Sequence, residues 1–458
     1  MSSSVLPQRQ AWRALAALCI GFFMILLDQT VVAVATPQFQ VELGASINQV
    51  VWVTSIYLLF FAVPLLVTGR LGDRFGQRNV YLVGMTVFTL SSLACGLAGD
   101  VVTLIVARAA QGLGASIMAP QTMSVINRVF ARERRGSAMG MWGAVAGLAT
   151  LAGPVLGGVI VDSVGWQWVF FINVPLGVLS LTLVAMWVPK MPRMARRIDF
   201  ASVIVSIAAM FGVVFAVQEG PELGWPAWIW LVLAAGFVFV GVFVWLQKTA
   251  EARGRDPLVP LDIFRNRNFS IGAFSISMMG FAVSGTMLPV MIFLQEGHGL
   301  SAQEAGFMLV PMAVISGLLA PFVGRLSDRL DPRILSVSGF SCMTVAVLLL
   351  VVVMRDGVGF WWVMLPITVL GFGNGLVWSP NSATSMRDLP VSSVGAASGV
   401  YNSTRQVGSV VGAAIIGAAM QMGVAATDIA SAMGNSVIPA VVALCLGLFA
   451  VSRFRNRL

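Results

Sequence analysis

Two decapeptides decide the fold of this chain: GRLGDRFGQR at Gly69–Arg78 and GRLSDRLDPR at Gly324–Arg333. Each follows a long apolar run, and both carry the same spacing of glycine, aspartate and arginine. The chain therefore consists of two related halves that place this loop after their second apolar run. Repeated halves with a binding site between them are typical of secondary transporters.

The composition is that of a chain that lies mostly within a membrane. Of its 458 residues, 58% are apolar and 10% are charged, whereas an average soluble domain has about 45–50% apolar and about 25% charged residues. A soluble globule is excluded on this ground. A disordered chain is excluded as well, because disordered chains are poor in apolar residues. We predict an all-α polytopic membrane protein.

Apolar runs of about 20 residues, long enough for a hydrocarbon layer roughly 30 Å thick, predict fourteen membrane spans. Their limits are 14–36, 48–69, 79–98, 101–123, 138–161, 166–188, 199–219, 226–247, 270–295, 302–323, 334–354, 359–381, 394–421 and 436–452. Arg9 and Arg13 before the first run imitate a secretory signal peptide. Because Asp28 interrupts that run and many spans follow, an uncleaved first helix is the simpler interpretation.

The basic residues predict the orientation of the spans. If both termini face the cytoplasm, all of the 28 Lys and Arg residues except Arg108, Arg355 and Arg405 fall in the termini or in cytoplasmic loops, as the positive-inside rule requires. We therefore predict a multi-pass protein of the cell membrane (inner or plasma membrane) with cytoplasmic termini. The net charge of +9 then reflects orientation, and we expect no nucleic acid partner.

The repeat also predicts the domain organisation. We expect an N-terminal six-helix bundle over residues 1–190, inserted helices 7 and 8 over 191–250, a cytoplasmic linker over 251–269 and a C-terminal six-helix bundle over 270–458. The four cysteines stand far apart inside apolar runs and predict neither a disulfide nor a metal site: Cys19, Cys95, Cys342 and Cys445. No spacing of residues typical of an intramembrane enzyme or a phosphate-binding loop occurs.

Several further motifs stand in register along the chain. They are Arg108, Gln111, Gly112 and Gly114 in span 4; Gly143, Gly147, Gly153, Pro154, Gly157 and Gly158 in span 5; LDQTVV at Leu27–Val32; GWQWVFFINVPLG at Gly165–Gly177; and FRNRNF at Phe264–Phe269. With the loop at Gly69–Arg78, these motifs resemble the major facilitator superfamily, and specifically its fourteen-helix drug/proton antiporters. The chain departs from that pattern at Gln167 and Ser202, and it has no acidic residue in span 10.

The resemblance implies the major facilitator fold, with two six-helix bundles plus two inserted central helices. It also implies a proton-coupled antiporter that exports hydrophobic, cationic small molecules by alternating access, as a monomer in the lipid bilayer and without a cofactor. A dedicated exporter of a secreted metabolite or of a lipid is the alternative. A channel is disfavoured by the single acid/base pair within the spans.

Asp28 and Arg108 are the predicted proton-coupling residues. An ionisable residue at the centre of a membrane helix costs at least about 2.5–3.5 kcal/mol and is a functional hypothesis by default. Both residues lie roughly 10–12 Å below the outer helix ends at 1.5 Å per residue, so we expect them to pair. A permanent salt bridge that locks two helices is the alternative. Arg405, in span 13, has no evident acid of its own, and structural and functional roles both stay open.

Conformational gating is predicted from the repeated loops and from span 5. Asp73 can face the positive amino end of span 13 near Ser393, unless it is simply a solvated loop charge. The span 5 residues can form a pivot or leak seal between the halves, or merely pack closely. The gating candidates are Asp73, Arg74, Arg78, Gly153, Pro154, Gly157, Gly158, Asp328 and Arg405.

A substrate cavity is predicted from amide and bulky apolar side chains within the spans, since such side chains adapt to varied ligands. The candidates are Gln29, Trp52, Tyr57, Gln121, Met123, Phe281, Asn374, Trp378 and Asn381. Glu219 and Glu222 are expected at the surface, at the outer end of span 7.

Overall fold

The computed structural model describes residues 7–130, 135–190, 199–250, 253, 257–327, 331–389 and 394–455, which form helices and no strand. The N-terminal helices are α1 (Gln8–Leu43), α2 (Ile47–Ala62), α3 (Leu65–Phe75), α4 (Gln77–Gly96), α5 (Val101–Val129), α6 (Arg135–Val164), α7 (Trp168–Phe171) and α8 (Asn173–Trp187). Then follow α9 (Phe200–Leu223) and α10 (Ala227–Thr249). The C-terminal helices are α11 (Arg267–Ile292), α12 (Ala302–Ser327), α13 (Pro332–Val353), α14 (Met364–Arg387), α15 (Val394–Val424), α16 (Ile429–Ser436) and α17 (Ile438–Val451).

The predicted fourteen-span architecture is confirmed. Within the described residues, twelve stretches are long and apolar enough to cross a membrane. The two other predicted spans correspond to α2 and α6. α2 has only 16 residues because Pro64, which has no backbone N–H, interrupts the hydrogen-bond ladder, and the chain continues as α3 after a kink. α6 has 30 residues, and its apolar part is Ala152–Val164.

The helices form two sets joined by a seam. α1 to α8 pack with one another, as do α11 to α17, and the seam consists of α6 against α12, α2 against α15 and α1 against α11. The inserted α9 packs along α10 and also touches α2 and α15. The insertion therefore borders the seam between the two halves.

We call the end of the bundle that carries Gln8 and Val451 the proximal end, and the opposite end the distal end. At the distal end, Gln295 Nε2 donates to Val34 O at 3.0 Å, and Gln421 Nε2 donates to Asn48 Oδ1 at 2.9 Å. Both hydrogen bonds cross the seam. The described structure therefore holds the two halves together at its distal end.

Candidate functional site

The ion pair between Asp28 on α1 and Arg108 on α5 is the centre of the candidate site. Arg108 Nη1 lies 2.6 Å from Asp28 Oδ2, and both residues are 1% exposed. The sequence placed these residues at one depth, and the structure places them in direct contact. The pair lies inside the N-terminal helix set and joins two of its helices.

Amide side chains complete the coordination of the Asp28 carboxylate. Gln111 Nε2 donates to Asp28 Oδ1 at 2.8 Å and also to Ser92 Oγ at 2.6 Å. Asn173 Nδ2, at the start of α8, donates to the same Asp28 oxygen at 3.3 Å. No sequence pattern pointed to a role for Ser92 or Asn173, although Asn173 lies within the motif Gly165–Gly177. Three side chains from two helices thus donate hydrogen bonds to this carboxylate.

Backbone and aromatic groups enclose the guanidinium of Arg108. Its Nε donates to Val53 O at 3.2 Å, and its Nη1 also donates to Gln111 Oε1 at 2.5 Å. The ring centroids of Tyr57 and Phe170 lie 4.1 Å and 5.7 Å from Arg108 Cζ. Both rings are within the range of a cation–π contact. Arg108 is thereby held in place even if its attraction to Asp28 weakens.

Five of the predicted cavity residues are buried between helices. Trp52 Nε1 donates to Glu219 Oε1 at 2.5 Å, and Gln121 Nε2 donates to Thr68 O at 2.7 Å. The buried five are Trp52, Tyr57, Gln121, Phe281 and Asn381, each 9% exposed or less. The structure therefore does not bring these side chains together on one open surface.

The other four cavity candidates are more exposed. Gln29, Met123 and Asn374 are half-buried, and Trp378 on α14 is 45% exposed. The Trp378 ring centroid lies 5.2 Å from Arg405 Cζ. Among the predicted cavity residues, Trp378 is the one that is exposed, and its ring lies beside a charged side chain.

The gating candidates of α6 divide between two neighbours. A side-chain carbon at Gly153 or Gly157 would meet Thr30 or Val31 of α1. Gly158 and Pro154 face the other half of the molecule across the seam: a side-chain carbon at Gly158 would meet the backbone of Gln303, and one at Gly306 would meet Pro154 O. Small residues on both sides thus permit the close approach of α6 and α12.

The gating candidates near the repeated loops lie at the proximal end. Arg78 Nη2 donates to Ala185 O, which ties α4 to α8. Arg74 lies against the neighbouring Phe75 ring, at 5.3 Å from its centroid. Asp328 and the side chain of Asp73 lie outside the described residues, and so does the expected partner region at Ser393.

Glu219 differs from its expected surface position. Its Oε1 accepts hydrogen bonds from Asn48 Nδ2 at 2.8 Å and from Trp52 Nε1. Asn48 in turn accepts from Gln421 on α15. Hydropathy marks where a span ends but not which neighbours its end meets, so no sequence pattern indicated this contact. Glu222, three residues on, is exposed as expected.

Comparison with known proteins assigns the family. A family model described as Major Facilitator Superfamily matches residues 18–247 and 180–413. The chain belongs to this superfamily. This MFS protein is therefore a membrane transporter that acts on small molecules and is not an enzyme.

Relatives of this MFS protein include named drug-resistance transporters. The "Tetracenomycin C resistance and export protein" of Streptomyces glaucescens is 34% identical over 89% of this chain and 76% of its own length. The "Multidrug resistance protein Stp" of Mycobacterium tuberculosis is 32% identical over 90% of this chain and 76% of its own length. An uncharacterized MFS-type transporter of Mycobacterium tuberculosis is 46% identical over 91% of this chain and 72% of its own length. The resemblance to the drug-efflux group of the superfamily is confirmed.

Solved structures agree with the fold of this MFS protein. The POT family transporter PepTSo superposes with a TM-score of 0.71 at 15% identity, covering 99% of this chain and 100% of its own. A D-xylose–proton symporter superposes with a TM-score of 0.69 at 14% identity, covering 97% of this chain and 98% of its own. At these identities the likeness shows the fold alone.

Proposed function

We propose that this transporter is a proton-coupled antiporter that exports hydrophobic small molecules, monovalent organic cations among them, by alternating access between its two six-helix halves. The carrying observation is the Asp28–Arg108 pair, buried within the N-terminal helices. Buried, hydrogen-bonded ionisable groups within a membrane are costly and mark ion and proton pathways.

The geometry of the pair supports a proton-dependent change of structure. A proton on Asp28 would remove the negative charge and leave Arg108 uncompensated in an apolar bundle, which is costly. The Gln111 and Asn173 amides would also lose the charged acceptor that they now share. Protonation would thus favour a different packing of α1 against α5. We propose that this change is coupled to the opening of the halves.

We propose which side of the membrane each end of the transporter faces, and in which membrane it works. With both termini in the cytoplasm of a bacterial cell, as expected from the positive-inside rule, the distal end faces outward. The described hydrogen bonds across the seam would then close the outer side. We further propose that the transporter works as a monomer in the cell membrane, since each half of the cycle needs only the two bundles of one chain.

A dedicated exporter of one secreted metabolite is the second candidate. It is favoured by the names of relatives, among them the tetracenomycin C resistance and export protein and the "Probable actinorhodin transporter" of Streptomyces coelicolor. The two candidates share the proton-coupling site and differ in the number of substrates. A panel of efflux substrates distinguishes them, because a dedicated exporter protects cells against one chemical family only.

Ethidium uptake into inside-out membrane vesicles tests proton coupling. We expect a pH gradient to drive uptake by the wild-type protein, and Asp28→Asn to abolish it. Asp100→Asn is the matched control, because Asp100 is an exposed carboxylate that caps α5 through Thr103 N at 2.8 Å. Undiminished gradient-driven uptake by Asp28→Asn would refute the assignment of Asp28 as the proton carrier.

A double variant separates lost coupling from lost folding. Breaking a buried pair from one side costs about 3–5 kcal/mol because it leaves an uncompensated buried charge, whereas replacing both partners by uncharged residues leaves no such charge. Asp28→Asn combined with Arg108→Gln should therefore elute and melt in detergent like the wild type and still fail to transport uphill. If this folded double variant transported uphill, the pair would be structural.

A further inference from the structure

Arg405 on α15 is a second guanidinium within the spans, and it has no acidic partner in the described part of the chain. It is half-buried, its Nε is buried without a hydrogen-bond partner, and no described residue accepts a hydrogen bond from its terminal nitrogens. Arg108 is satisfied by a carboxylate, an amide and a carbonyl. Arg405 therefore keeps unused donors at a depth where an unpaired cation is costly.

The surroundings of Arg405 fix the direction of its side chain. On one side α11 approaches so closely that a side-chain carbon at Gly280 would lie 3.2 Å from Arg405 Cγ. On the other side the guanidinium lies 5.2 Å from the ring centroid of Trp378, a residue that is 45% exposed. The aliphatic part of Arg405 therefore packs against α11, and its guanidinium lies beside the indole ring of the exposed Trp378.

Rigid neighbours support this arrangement. One turn before Arg405, the Tyr401 hydroxyl accepts a hydrogen bond from Asn381 Nδ2 at 3.0 Å. Asn381 Oδ1 accepts from Ser275 Oγ at 3.1 Å. These bonds join α11, α14 and α15 on the side from which Trp378 and Arg405 project. The neighbouring Gln406 is 3% exposed, and its Nε2 is also buried without a partner.

We propose that Arg405 and Trp378 form a binding site for the carboxylate of an aromatic acid or zwitterion, with the aromatic ring of the ligand stacked on Trp378. A guanidinium is planar and matches a carboxylate with two parallel N–H donors, and it is more weakly hydrated than an ammonium. A bound carboxylate would supply the counter-charge that the described structure lacks. The adjacent indole face would supply apolar contact for a ring attached to that carboxylate.

This site deepens the proposed function, on which its role in transport rests, because it adds a recognised anionic group to the substrate class. It lies in the C-terminal helices, while the proton-coupling pair lies in the N-terminal helices. Binding at Arg405 needs no proton gradient. The proposed site can therefore be tested without assuming antiport.

Equilibrium binding to the purified full-length protein in phosphatidylcholine nanodiscs tests the site. The probes are radiolabelled 1-naphthoate, its uncharged methyl ester and 1-naphthylmethylammonium. We expect the wild type to bind the naphthoate at least about tenfold more tightly than the other two, and Arg405→Gln to lose that preference, as for a hydrogen bond to a charged group. Arg405→Lys should keep part of the preference, and Trp378→Leu should weaken naphthoate and ester alike.

Controls make the outcome decisive. Arg355→Gln removes an arginine whose Nε donates to Val351 O at the distal end of α13, and it should leave naphthoate binding unchanged. Equal affinity of folded Arg405→Gln and wild type for naphthoate would overturn the proposal, as would equal wild-type affinity for naphthoate and ester. If Arg405→Gln does not fold, unchanged naphthoate binding in Trp378→Leu would overturn it. Loss of naphthoate binding only when phosphatidylglycerol is added would assign the site to an anionic lipid headgroup and also overturn the proposal.

The proposed function can fail without this site failing. If pH gradients drive no export while naphthoate binding depends on Arg405, only the antiport proposal falls. If export is proton-coupled while naphthoate binding ignores Arg405, only the site falls.

Discussion

Asp162, at the distal end of α6, accepts hydrogen bonds from the first backbone N–H groups of α12, with its Oδ2 2.7 Å from Gln303 N and its Oδ1 3.2 Å from Ala302 N. The carboxylate of one half thus caps a helix of the other half. The amino end of a helix carries partial positive charge and unpaired N–H groups. This contact therefore stabilises the state in which the distal ends meet.

Asp162→Asn should weaken distal closure. Loss of the negative charge at a helix amino end costs about 0.3–1 kcal/mol, so we expect the population with separated distal ends to rise by roughly two- to fivefold. Spin labels at Val164 and Ile429, in a cysteine-free background, report the distance between the halves. Asp100→Asn removes an equivalent cap that lies within one half and should leave the distances unchanged. The same distance distribution in Asp162→Asn and wild type would show that the cap does not hold the seam.

Arg108→Ala should uncouple transport. Without the guanidinium, Asp28 loses its charged partner, and we expect that proton binding no longer alternates with substrate binding. We expect downhill ethidium flux to persist in proteoliposomes while uphill accumulation is lost. Arg108→Lys should restore accumulation only in part, because an ammonium cannot serve Val53 O, Asp28 and Gln111 with the planar donor pattern of a guanidinium. Normal accumulation in Arg108→Ala would mean that the pair only supports the fold.

Exchange of one proton for one monovalent cation should be electroneutral. With Asp28 as the single titrating group, no net charge crosses the membrane, so a potential worth about 2.3 kcal/mol per charge per 100 mV contributes nothing. A gradient of one pH unit supplies about 1.4 kcal/mol, or about tenfold accumulation. In proteoliposomes we expect a pH gradient, but not a potassium diffusion potential, to drive ethidium accumulation. Accumulation driven by the potential alone would require a second proton and would direct attention to Glu219 or Glu296.

Glu219→Ala should destabilise the protein. The substitution leaves the donors Asn48 Nδ2 and Trp52 Nε1 without their carboxylate, and each unsatisfied buried donor costs about 1–3 kcal/mol. We expect a lower melting temperature in detergent and a smaller loss in Glu219→Gln, which keeps an acceptor oxygen. Glu222→Ala, on the exposed side of the same helix end, is the control. Equal melting temperatures for both alanine variants would show that α9 is not anchored through Glu219.

Labelling of single cysteines should reveal which side of the membrane the proximal and distal ends of the protein face. In intact cells of a cysteine-free variant, an impermeant thiol reagent should modify Glu222→Cys from outside and leave Arg455→Cys unmodified. Both positions are exposed, so a difference in labelling reflects the side of the membrane. Reaction at position 455 from outside would invert the predicted topology.

The fold was largely predictable because the properties that define a membrane span are local. About 20 consecutive apolar residues predict a span wherever they occur. The repeated decapeptides supplied the division into halves. The sequence did not reveal that α2 would end at Ala62, because a kinked pair of short helices has the same hydropathy as one long helix.

The sequence predicted contacts in the candidate site only where two charged residues lie at the same depth in the membrane. Asp28 and Arg108 could be matched because charges at one depth within a bilayer have few other partners. A third partner of the carboxylate, Asn173, follows a break between α7 and α8. No local sequence pattern predicts how far this break rotates α8. The cavity candidates were chosen by residue type, and residue type does not distinguish Gln121, packed between helices, from Trp378, half exposed.

The sequence by itself determined the all-helical class, the fourteen spans, the two related halves and the membership of the superfamily, since hydropathy and motif spacing are written along the chain. Only the tertiary structure decided which faces of the helices meet: that Asp162 caps α12, that Glu219 binds Asn48 and Trp52, and that Arg405 lies beside Trp378. The physical reason is that the rotation of a helix in an apolar environment is set by close packing and by interhelical hydrogen bonds. Those depend on every neighbouring helix at once.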